Sequence, residues 1–325
     1  MSPHATSLER LQDLSPTSAQ FRKAVLDGLA QPQKRLPCKF FYDAEGSRLF
    51  DQICELPEYY PTRTEFKILT ERAPDIAALV GAGVRLVEFG SGAGTKIRLL
   101  LRALDAPAAY VPVDISRSHL LMAATSLARD FPTLHIAPVC ADYTQPFSLP
   151  GSTQRVARAT AGFFPGSTIG NFTPEQAWAF LAQTRRLLGR DAWMIVGVDL
   201  HKDTAILDAA YNDAAGVTAA FNLNLLRRIN HELAGTFDLT AFRHHAFYNV
   251  AHRRIEMHLI SLRDQSVAVG DQRFTFRAGE TIHTEDSHKY DVPAFQQLAE
   301  RAGFAPVEAW TDAEGLFSVH ALRAV

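Results

Sequence analysis

The stretch from Val84 to Lys96, VRLVEFGSGAGTK, decides the fold of this chain. Its first half is mostly apolar, three alternating glycines (Gly90, Gly92 and Gly94) follow, and a helical pattern comes next. Because glycine carries no side chain, the backbone there can turn tightly and approach a ligand closely. A glycine-rich turn between a strand and a helix predicts a nucleotide-binding site in an α/β sheet.

Short β-rich segments alternate with helical ones downstream of this turn. The predicted strands cover residues 84–90, 109–115, 135–142, 160–164 and 192–200. The predicted helices between them cover residues 95–104, 118–131 and 174–188. This alternation is typical of right-handed βαβ units and a parallel sheet. A last helix at 292–304 precedes two strands at 306–312 and 317–324. The fold class is therefore α/β, with a Rossmann-like, mostly parallel sheet and an antiparallel C-terminal hairpin.

The segment from His201 to Tyr290 departs from the alternation. It has a helical pattern over 208–233 and long strand patterns over 242–262 and 266–279. We interpret it as an insertion between the fifth and sixth strands that belongs to a second, α+β lobe. In sheets of this kind ligands bind outside the carboxyl ends of the strands, so we expect this lobe to bind the substrate.

The domain boundaries follow from these patterns. We expect a cofactor-binding domain, a substrate-binding lobe and a flexible arm rich in Ser, Thr and Pro. Their predicted residues are 62–200 with 290–325, 20–61 with 201–289, and 1–19.

Composition narrows the function classes. With 33 Lys and Arg against 35 Asp and Glu, the chain lacks the basic excess that gives nucleic-acid binders their phosphate affinity. No apolar run reaches the roughly 18 residues that a membrane span requires. The three cysteines, Cys38, Cys54 and Cys140, have no CxxC spacing that would indicate a thiolate metal site. We expect a cytoplasmic monomer with a small-molecule substrate and no nucleic-acid or membrane partner.

The residues around the glycine turn indicate which nucleotide it binds. Thr95 stands between Gly94 and Lys96, so the Gly-Lys-Ser/Thr of a P-loop is not met, and neither is the dinucleotide pattern GxGxxG. Asp114 ends the second strand, where a carboxylate can accept hydrogen bonds from both ribose hydroxyls of an adenosine. Asp142 and Tyr143 end the third strand, where they can bind the adenine amine and ring face. With Glu88, these acids favour S-adenosylmethionine as the cofactor.

Lys96 has two interpretations at this stage. It is either a solvated lysine in the first turn of a helix or a partner of the cofactor's methionyl carboxylate.

Several further segments resemble one family, the histidine-specific Nα-methyltransferases of ergothioneine biosynthesis. They are Lys39-Phe40-Phe41-Tyr42-Asp43, Leu56-Pro57-Glu58-Tyr59-Tyr60-Pro61-Thr62-Arg63, Gly166-Ser167-Thr168-Ile169-Gly170-Asn171, Tyr211-Asn212-Asp213, Gly216-Val217-Thr218-Ala219, Phe221-Asn222, Arg254-Ile255-Glu256-Met257 and Thr284-Glu285-Asp286-Ser287. The likeness runs in order from about residue 34 to the C-terminus. It implies three successive methyl transfers to the α-amino group of free L-histidine, giving the betaine hercynine.

The resemblance also implies roles for individual residues. The cofactor would be held by Gly90, Lys96, Asp114, Asp142 and Tyr143. The substrate would be held by Tyr59, Asn171, Tyr211, Met257, Glu285, Asp286 and Ser287. Tyr42 and Tyr59 would act near the reacting amine, Tyr42 through water.

These residue types suit the chemistry. Neutral donors such as Asn171 and Tyr211 can bind an amino acid's carboxylate without adding positive charge beside a sulfonium. A neutral imidazole has one donor and one acceptor nitrogen, so Glu285 and Ser287 can distinguish it from an apolar ring. Methyl transfer is an in-line displacement that needs a neutral amine, and each round must remove a proton. The sequence does not single out one general base.

Other interpretations stay open. Glu285 and Ser287 would ordinarily lie on a solvated loop, Met257 in the core, and Asn171 at a turn or helix cap. The histidines of the insertion could suggest a metal, but no pair with helical spacing and a third ligand supports one, so we predict no metal. The alternative functions are a methyltransferase of the same fold for another amino acid, such as tryptophan, and a non-catalytic protein that binds adenosyl metabolites.

Overall fold

The computed structural model describes residues 8–151 and 156–325. Contacts between Cα atoms divide the chain into two compact units. Unit 1 comprises Met1–Ser15, Pro61–His201 and Tyr290–Val325, and unit 2 comprises Pro16–Tyr60 and Lys202–Lys289. The internal boundaries differ by at most one residue from those expected near residues 61, 201 and 290. Within the described ranges, no helix combines the length and hydropathy of a membrane span.

Unit 1 is built on an eight-stranded sheet. Its strands are β1 (Gln12–Leu14), β3 (Val84–Phe89), β4 (Ala109–Asp114), β5 (Val139–Ala141), β6 (Ala159–Phe164), β7 (Trp193–Asp199), β13 (Phe304–Thr311) and β14 (Phe317–Ala324). They lie in the order β1-β5-β4-β3-β6-β7-β14-β13. The first six in this order are parallel, while β14 runs antiparallel to β7 and β13 antiparallel to β14. The predicted parallel sheet with an antiparallel C-terminal hairpin is confirmed.

Helices pack on both faces of this sheet. They are α3 (Tyr60–Val80), which begins at the unit boundary, α4 (Thr95–Ala103), α5 (Arg117–Asp130), α6 (Pro174–Leu188) and α9 (Val292–Arg301). Successive residues of a strand point to opposite faces, so Leu86 packs in the core under α3, α4 and α5, while Val87 packs in the core under α6 and α9. The sequence patterns predicted α4, α5, α6 and α9, but not a 21-residue α3.

The prediction of a flexible arm over residues 1–19 is wrong for residues 8–19. Leu8 forms a bridge to Ile136, and β1 pairs in parallel with β5. A helix then starts at Ser18, where the Thr17 side chain accepts a hydrogen bond from Gln20. The polar composition of the segment obscured this role, because an edge strand can present most of its side chains to solvent. Residues 1–7 of the predicted arm lie outside the described residues.

Unit 2 combines helices with two small sheets. Its helices are α1 (Ser18–Leu29), α2 (Ala44–Glu55), α7 (Thr204–Tyr211) and α8 (Val217–Leu233). Its strands are β2 (Lys34–Arg35), β8 (Phe242–Asn249), β9 (Arg254–Ser261), β10 (Gln265–Val269), β11 (Gln272–Phe276) and β12 (Thr281–His288). One sheet has the order β2-β12-β9-β8, and β10 pairs with β11.

Two strand expectations for unit 2 need correction. The long strand patterns at 242–262 and 266–279 are each a hairpin, because turns interrupt them at 250–253 and 270–271. The segment carrying Glu285 and Ser287 is not a solvated loop but strand β12. Both faces of β12 are largely polar, so its sequence lacks the alternation of apolar and polar residues that predicts a strand.

A cluster of aromatic rings stabilises unit 1 beneath α6. Phe180 lies 4.6 Å from Phe164, 5.4 Å from Phe172, 5.7 Å from Phe89 and 5.8 Å from Tyr143, measured between ring centroids. Phe180 is 4% exposed. It therefore packs against Tyr143 and helps to fix the position of this predicted cofactor-binding residue.

We predict that Phe180→Ala lowers the free energy of unfolding by about 3–5 kcal/mol, because it removes a buried ring and leaves a cavity. Chemical denaturation measures this change. Arg186→Ala, an exposed change on the same helix, should stay within about 0.5 kcal/mol of the parent. A Phe180→Ala protein as stable as the parent would contradict the packing described here.

Candidate active site

The predicted cofactor residues of unit 1 meet at one edge of the sheet. Gly90, Asp114 and Asp142 each follow or end a parallel strand, namely β3, β4 and β5. The strands are in register, with Phe89 opposite Val113 and Asp114 opposite Cys140. In open α/β sheets ligands bind at this carboxyl edge.

The glycine turn is tied to Asp114. The Gly92 N–H donates to the Asp114 carboxylate at 3.2 Å, and the Ser116 N–H donates to it at 2.8 Å. Burial raises the pKa of Asp114, while these two N–H donors act in the opposite direction. Gly90 and Gly94 have φ values of 72° and 71°, which favour glycine. Asp114 thus holds the turn close to the strand edge, where a ribose would lie.

Asp142 and Tyr143 form the far side of this edge. Asp142 accepts hydrogen bonds from Thr144 through its backbone N–H at 3.0 Å and its hydroxyl at 2.5 Å. The Tyr143 ring packs edge-on against Phe89 and Phe164. A Cβ atom placed on Gly90 would lie 3.9 Å from the Tyr143 ring. Tyr143 and the glycine turn are therefore neighbours, as a site that encloses an adenosine requires.

Lys96 has a protein partner that neither interpretation anticipated. Its ammonium is ion-paired with Glu65, whose side chain is fully buried. Glu65 also accepts a hydrogen bond from the Gly166 N–H at 2.8 Å. The interpretation of Lys96 as a solvated lysine is wrong, since its side chain is only 16% exposed. Its pairing with the cofactor stays a prediction.

Glu65 is a residue that sequence reasoning missed. It lies on α3, 31 residues before Lys96, so no local pattern links the two. The signal that could have revealed it is Gly197, inside strand β7. A Cβ atom there would lie 2.0 Å from a Glu65 oxygen, and glycine within a strand often marks the close approach of another group.

Glu88 stabilises the interior of the sheet and is not part of the predicted cofactor site at its carboxyl edge. Its side chain is 1% exposed and accepts a hydrogen bond from the Tyr110 hydroxyl. Burial raises the pKa of Glu88 to about 8, with Asp114 adding to the effect and Tyr110 opposing it. The acid is thus protonated at neutral pH, which makes its burial tolerable.

In unit 2, a row of aromatic rings brings together Tyr42, Tyr59 and Tyr211, three of the predicted site residues. We call it the tyrosine row. Tyr42 lies 5.6 Å from Phe50, Phe50 lies 6.3 Å from Tyr59, and Tyr59 lies 6.2 Å from Tyr211. Burial raises the pKa of Tyr59 well above 10, and the neighbouring Tyr211 adds to the effect. Tyr59 therefore keeps its proton over the physiological pH range and acts as a hydrogen-bond donor.

The four-stranded sheet carries the other substrate-binding residues predicted for unit 2. Glu285 stands opposite Met257, and Ser287 stands opposite Ile255, so all four side chains are on one face. Glu285 and Ser287 are 9% and 3% exposed. Ser287 accepts a hydrogen bond from the Tyr211 hydroxyl at 2.8 Å. This arrangement joins the tyrosine row to the strand.

Burial raises the pKa of Glu285 to about 8, while the charge of Lys289 lowers it and that of Asp286 raises it. Lys289 is a second residue that sequence reasoning missed. Its ammonium is 2.8 Å from the Ser287 hydroxyl and 3.3 Å from the Tyr211 hydroxyl. Its position four residues after Glu285 was the only available signal.

Asp286 needs a correction, because its side chain does not join Glu285 and Ser287. It points to the opposite face of β12, where it pairs with His283 at 2.9 Å and Arg254 at 3.0 Å. Adjacent residues of a strand alternate between faces, so the carboxylate of Asp286 cannot share a ligand with its neighbours. A ligand bound by Glu285 and Ser287 could contact Asp286 only through its backbone atoms.

The face that holds Asp286 also contains a group of potential metal ligands, Glu256, His258 and His283. The two imidazole rings are stacked, with centroids 4.5 Å apart and planes at 23°. Each ring already has a carboxylate partner, His258 with Glu256 at 3.0 Å and His283 with Asp286 at 2.9 Å. Arg254 already pairs with Glu256 at 2.7 Å. The geometry of this group favours a hydrogen-bonded ion-pair network over metal binding.

Asn171 belongs to unit 1, unlike the rest of the predicted substrate residues. It ends a short 3-10 helix, Thr168–Asn171, that follows β6 at the carboxyl edge of the sheet. The interpretation of Asn171 as the cap of α6 is wrong, because Thr173 is that cap and forms a capping box with Gln176. Asn171 lies beside a strand end, and its role in substrate binding stays a prediction.

The sheet order, its antiparallel hairpin and the acids at its carboxyl edge define an S-adenosylmethionine-dependent methyltransferase of the Rossmann-like class. The sequence profile of the family described as "Histidine-specific methyltransferase, SAM-dependent" matches residues 21–324. The chain belongs to this family.

Similar proteins carry corresponding names. The chain is 43% identical over 304 residues to the histidine N-alpha-methyltransferase of Mycolicibacterium smegmatis, covering 92% of this chain and 93% of that protein. Its identity to the histidine N-alpha-methyltransferase of Mycobacterium tuberculosis is 41%, with the same coverage. It is also 31% identical to ergothioneine biosynthesis protein 1 of Neurospora crassa, over 86% of this chain and 32% of that longer protein.

We predict that Glu65→Gln lowers the free energy of unfolding by about 3–5 kcal/mol, because it leaves the Lys96 charge without its buried partner. Chemical denaturation of the cofactor-free protein measures the loss. Adding Lys96→Met to this variant should recover part of the stability, since no unpaired charge remains. Equal losses in the single and double variants would contradict the importance of the pair.

The raised pKa of Glu285 predicts a pH dependence of stability. The folded chain holds this proton up to about pH 8, whereas the usual carboxyl releases it near 4.5. The folded state therefore binds more protons in this window, and its stability falls as pH rises through it. Unfolding free energies of the parent should drop more steeply between about pH 5 and 8 than those of Glu285→Gln.

Glu45→Gln is the matched control, because the pKa of Glu45 is lowered by its hydrogen bonds from Arg48. Its contribution changes only below the usual carboxyl pKa, so the slope above about pH 5 should match that of the parent. If the slope for Glu285→Gln equalled those of the parent and of Glu45→Gln, a raised pKa for Glu285 would be excluded.

Proposed function

We propose that this chain transfers methyl groups from S-adenosylmethionine to the α-amino group of free L-histidine, three times in succession, to give hercynine. The single observation that carries the proposal is the buried face of β12, where Glu285 and Ser287 lie beside Met257 and Tyr211. A carboxyl group and a hydroxyl on one buried face suit the two nitrogens of an imidazole. Membership of the histidine-specific family supports the same substrate.

The cofactor-binding role is assigned to unit 1. Asp114 at the end of β4 would bind the ribose hydroxyls, and Asp142 with Tyr143 would bind the adenine. The open backbone of Gly90 allows the ligand to approach the turn. Lys96, held in place by Glu65, would bind the methionyl carboxylate, because an ammonium has three donors and its position is set before the ligand arrives.

The substrate-binding role is assigned mainly to unit 2. Glu285, Ser287 and Met257 would surround the imidazole, and Tyr211 would bind the carboxylate. The family resemblance gives Asn171, in unit 1, a carboxylate-binding role as well. The donors assigned to the carboxylate are neutral, and the nearby cation Lys289 is hydrogen-bonded to Ser287 and Tyr211. A cationic clamp would instead add charge near the sulfonium, so neutral donors suit a reaction at a positively charged methyl donor.

The catalytic contribution is mostly positioning. S-adenosylmethionine supplies an electrophilic methyl group, and the protein must align an unprotonated amine with it. Tyr59 retains its proton, so it would orient the amine or its water as a hydrogen-bond donor. Tyr42, beside Phe50 and Phe221, would direct a water that carries the amine proton away before each transfer. We also propose that the enzyme works as a cytoplasmic monomer, where both of its small-molecule substrates are present.

The alternative substrate is another amino acid such as tryptophan. An indole has one N–H donor and no acceptor nitrogen, so it would offer no acceptor to the Ser287 hydroxyl hydrogen. The buried carboxyl of Glu285 would also lie against a larger ring. Unpaired buried polar groups are costly, so the face of β12 favours histidine.

The direct test combines labelled S-adenosylmethionine with the purified enzyme and each amino acid in turn. Histidine should give labelled mono-, di- and trimethylated products that carry the methyl groups on the α-nitrogen. Labelling of another amino acid in preference to histidine would refute the proposed substrate. Binding of the cofactor without any labelled product would favour the non-catalytic alternative.

We predict that Met257→Val with Glu285→Ala lowers kcat/KM for histidine by at least about 100-fold, because the imidazole loses its carboxylate partner and its apolar contact. The relative use of larger aromatic amino acids should rise, since the changes enlarge the pocket. Competition between histidine and tryptophan in one assay measures the selectivity. Unchanged selectivity would exclude this face of β12 as the substrate pocket.

A further inference from the structure

Lys289 is a buried cation within the proposed substrate group. Its side chain is 3% exposed, and its ammonium lies 5.1 Å from the centre of the Tyr211 ring. It is 2.8 Å from the Ser287 hydroxyl and 3.3 Å from the Tyr211 hydroxyl. Burying an ammonium is costly unless hydrogen bonds and charges compensate. The compensation here comes partly from residues that the proposed function uses.

The ammonium of Lys289 can only donate, so its contact makes the Ser287 oxygen an acceptor at 2.8 Å. The Tyr211 hydroxyl is placed to donate to the same oxygen at 2.8 Å. A hydroxyl oxygen has two lone pairs, so this arrangement occupies both. The hydrogen of Ser287 is then directed to a further acceptor, on the face that Ser287 shares with Glu285.

We propose that Lys289 is a positioning residue that makes Ser287 a hydrogen-bond donor and so selects one neutral tautomer of the substrate imidazole. The bare ring nitrogen would accept from Ser287, and the ring N–H would donate to the Glu285 carboxylate. An imidazolium would not suit this pair, because its second N–H would meet a serine with no lone pair left. The inference rests on the proposed function, since it names histidine's ring as the ligand.

The charges that face Glu285 support the same assignment. They come from Lys289, which lowers the pKa of Glu285, and from Asp286, which raises it. Cys38 and Tyr59, on other elements, also lie near Glu285, but burial raises the pKa of each, so both are neutral. Burial keeps Glu285 protonated at neutral pH in the ligand-free chain, and Lys289 acts in the opposite direction, toward the carboxylate form that would accept the ring N–H.

A double-mutant cycle tests whether Lys289 acts through Ser287. Lys289→Met and Ser287→Ala should each raise KM for histidine by about 10- to 100-fold, the size expected when a buried polar contact is lost. Values of kcat should change less, and the affinity for S-adenosylhomocysteine should stay the same. In the Ser287→Ala background, Lys289→Met should raise KM further by less than about 3-fold.

The matched control is Lys34→Met. Lys34 is a largely buried lysine of unit 2 that lies 4.9 Å from the Phe276 ring centre and pairs with Glu280. Its replacement should leave KM for histidine at the parent value. Fully multiplicative effects of the two changes in the cycle, or equal losses of histidine and S-adenosylhomocysteine binding, would overturn the positioning role.

A titration of Glu285 separates this inference from the proposed function. NMR of carboxyl-labelled enzyme without substrate should show a higher pKa for Glu285 in Lys289→Met than in the parent. An unchanged pKa would refute the electrostatic effect of Lys289. If the parent failed to methylate histidine, the proposed function would fall and the tautomer selection with it, while the titration would still decide whether Lys289 acts on Glu285.

Discussion

The parallel register of β3, β4 and β5 is the constraint on which the rest of unit 1 depends. Because parallel strands point the same way, their carboxyl ends meet at one edge of the sheet. The glycine turn after β3, Asp114 and Asp142 therefore become neighbours although they are far apart in sequence. The hydrogen bond from Gly92 to Asp114 then joins the first two of these segments.

The two-residue period of β12 has a similar importance in unit 2. It separates Glu285 and Ser287 from Asp286 and His283, so one short segment serves two chemically different faces. One face joins the tyrosine row and carries the side chains of Glu285 and Ser287, which we predict bind the substrate. The other holds Asp286 in ion pairs with Arg254 and His283. The bulge between His283 and Glu285 sets which residues fall on which face.

Buried ionisable groups recur in both units, and each of the following is accompanied by a compensating group. Glu65 is paired with Lys96, Glu88 is bonded by Tyr110, and Lys289 is surrounded by hydroxyls. Such pairs add little to stability compared with apolar packing, but removal of one partner is costly. Their concentration around the predicted binding residues is typical of sites where charge must be held in place before a ligand arrives.

The sequence by itself determined the sheet of unit 1, its glycine turn and the acids at its edge, because strand-helix alternation and turn chemistry are local properties. It also determined the family, since residues of many separate segments match in order. It could not show that β1 joins the sheet or that β12 is a strand, because both are polar segments whose structure depends on partner strands. Only the tertiary structure placed Glu65 beside Lys96, Lys289 beside Ser287, and Asp286 on the opposite face. Those contacts join residues through side-chain direction and long-range packing, which no local pattern encodes.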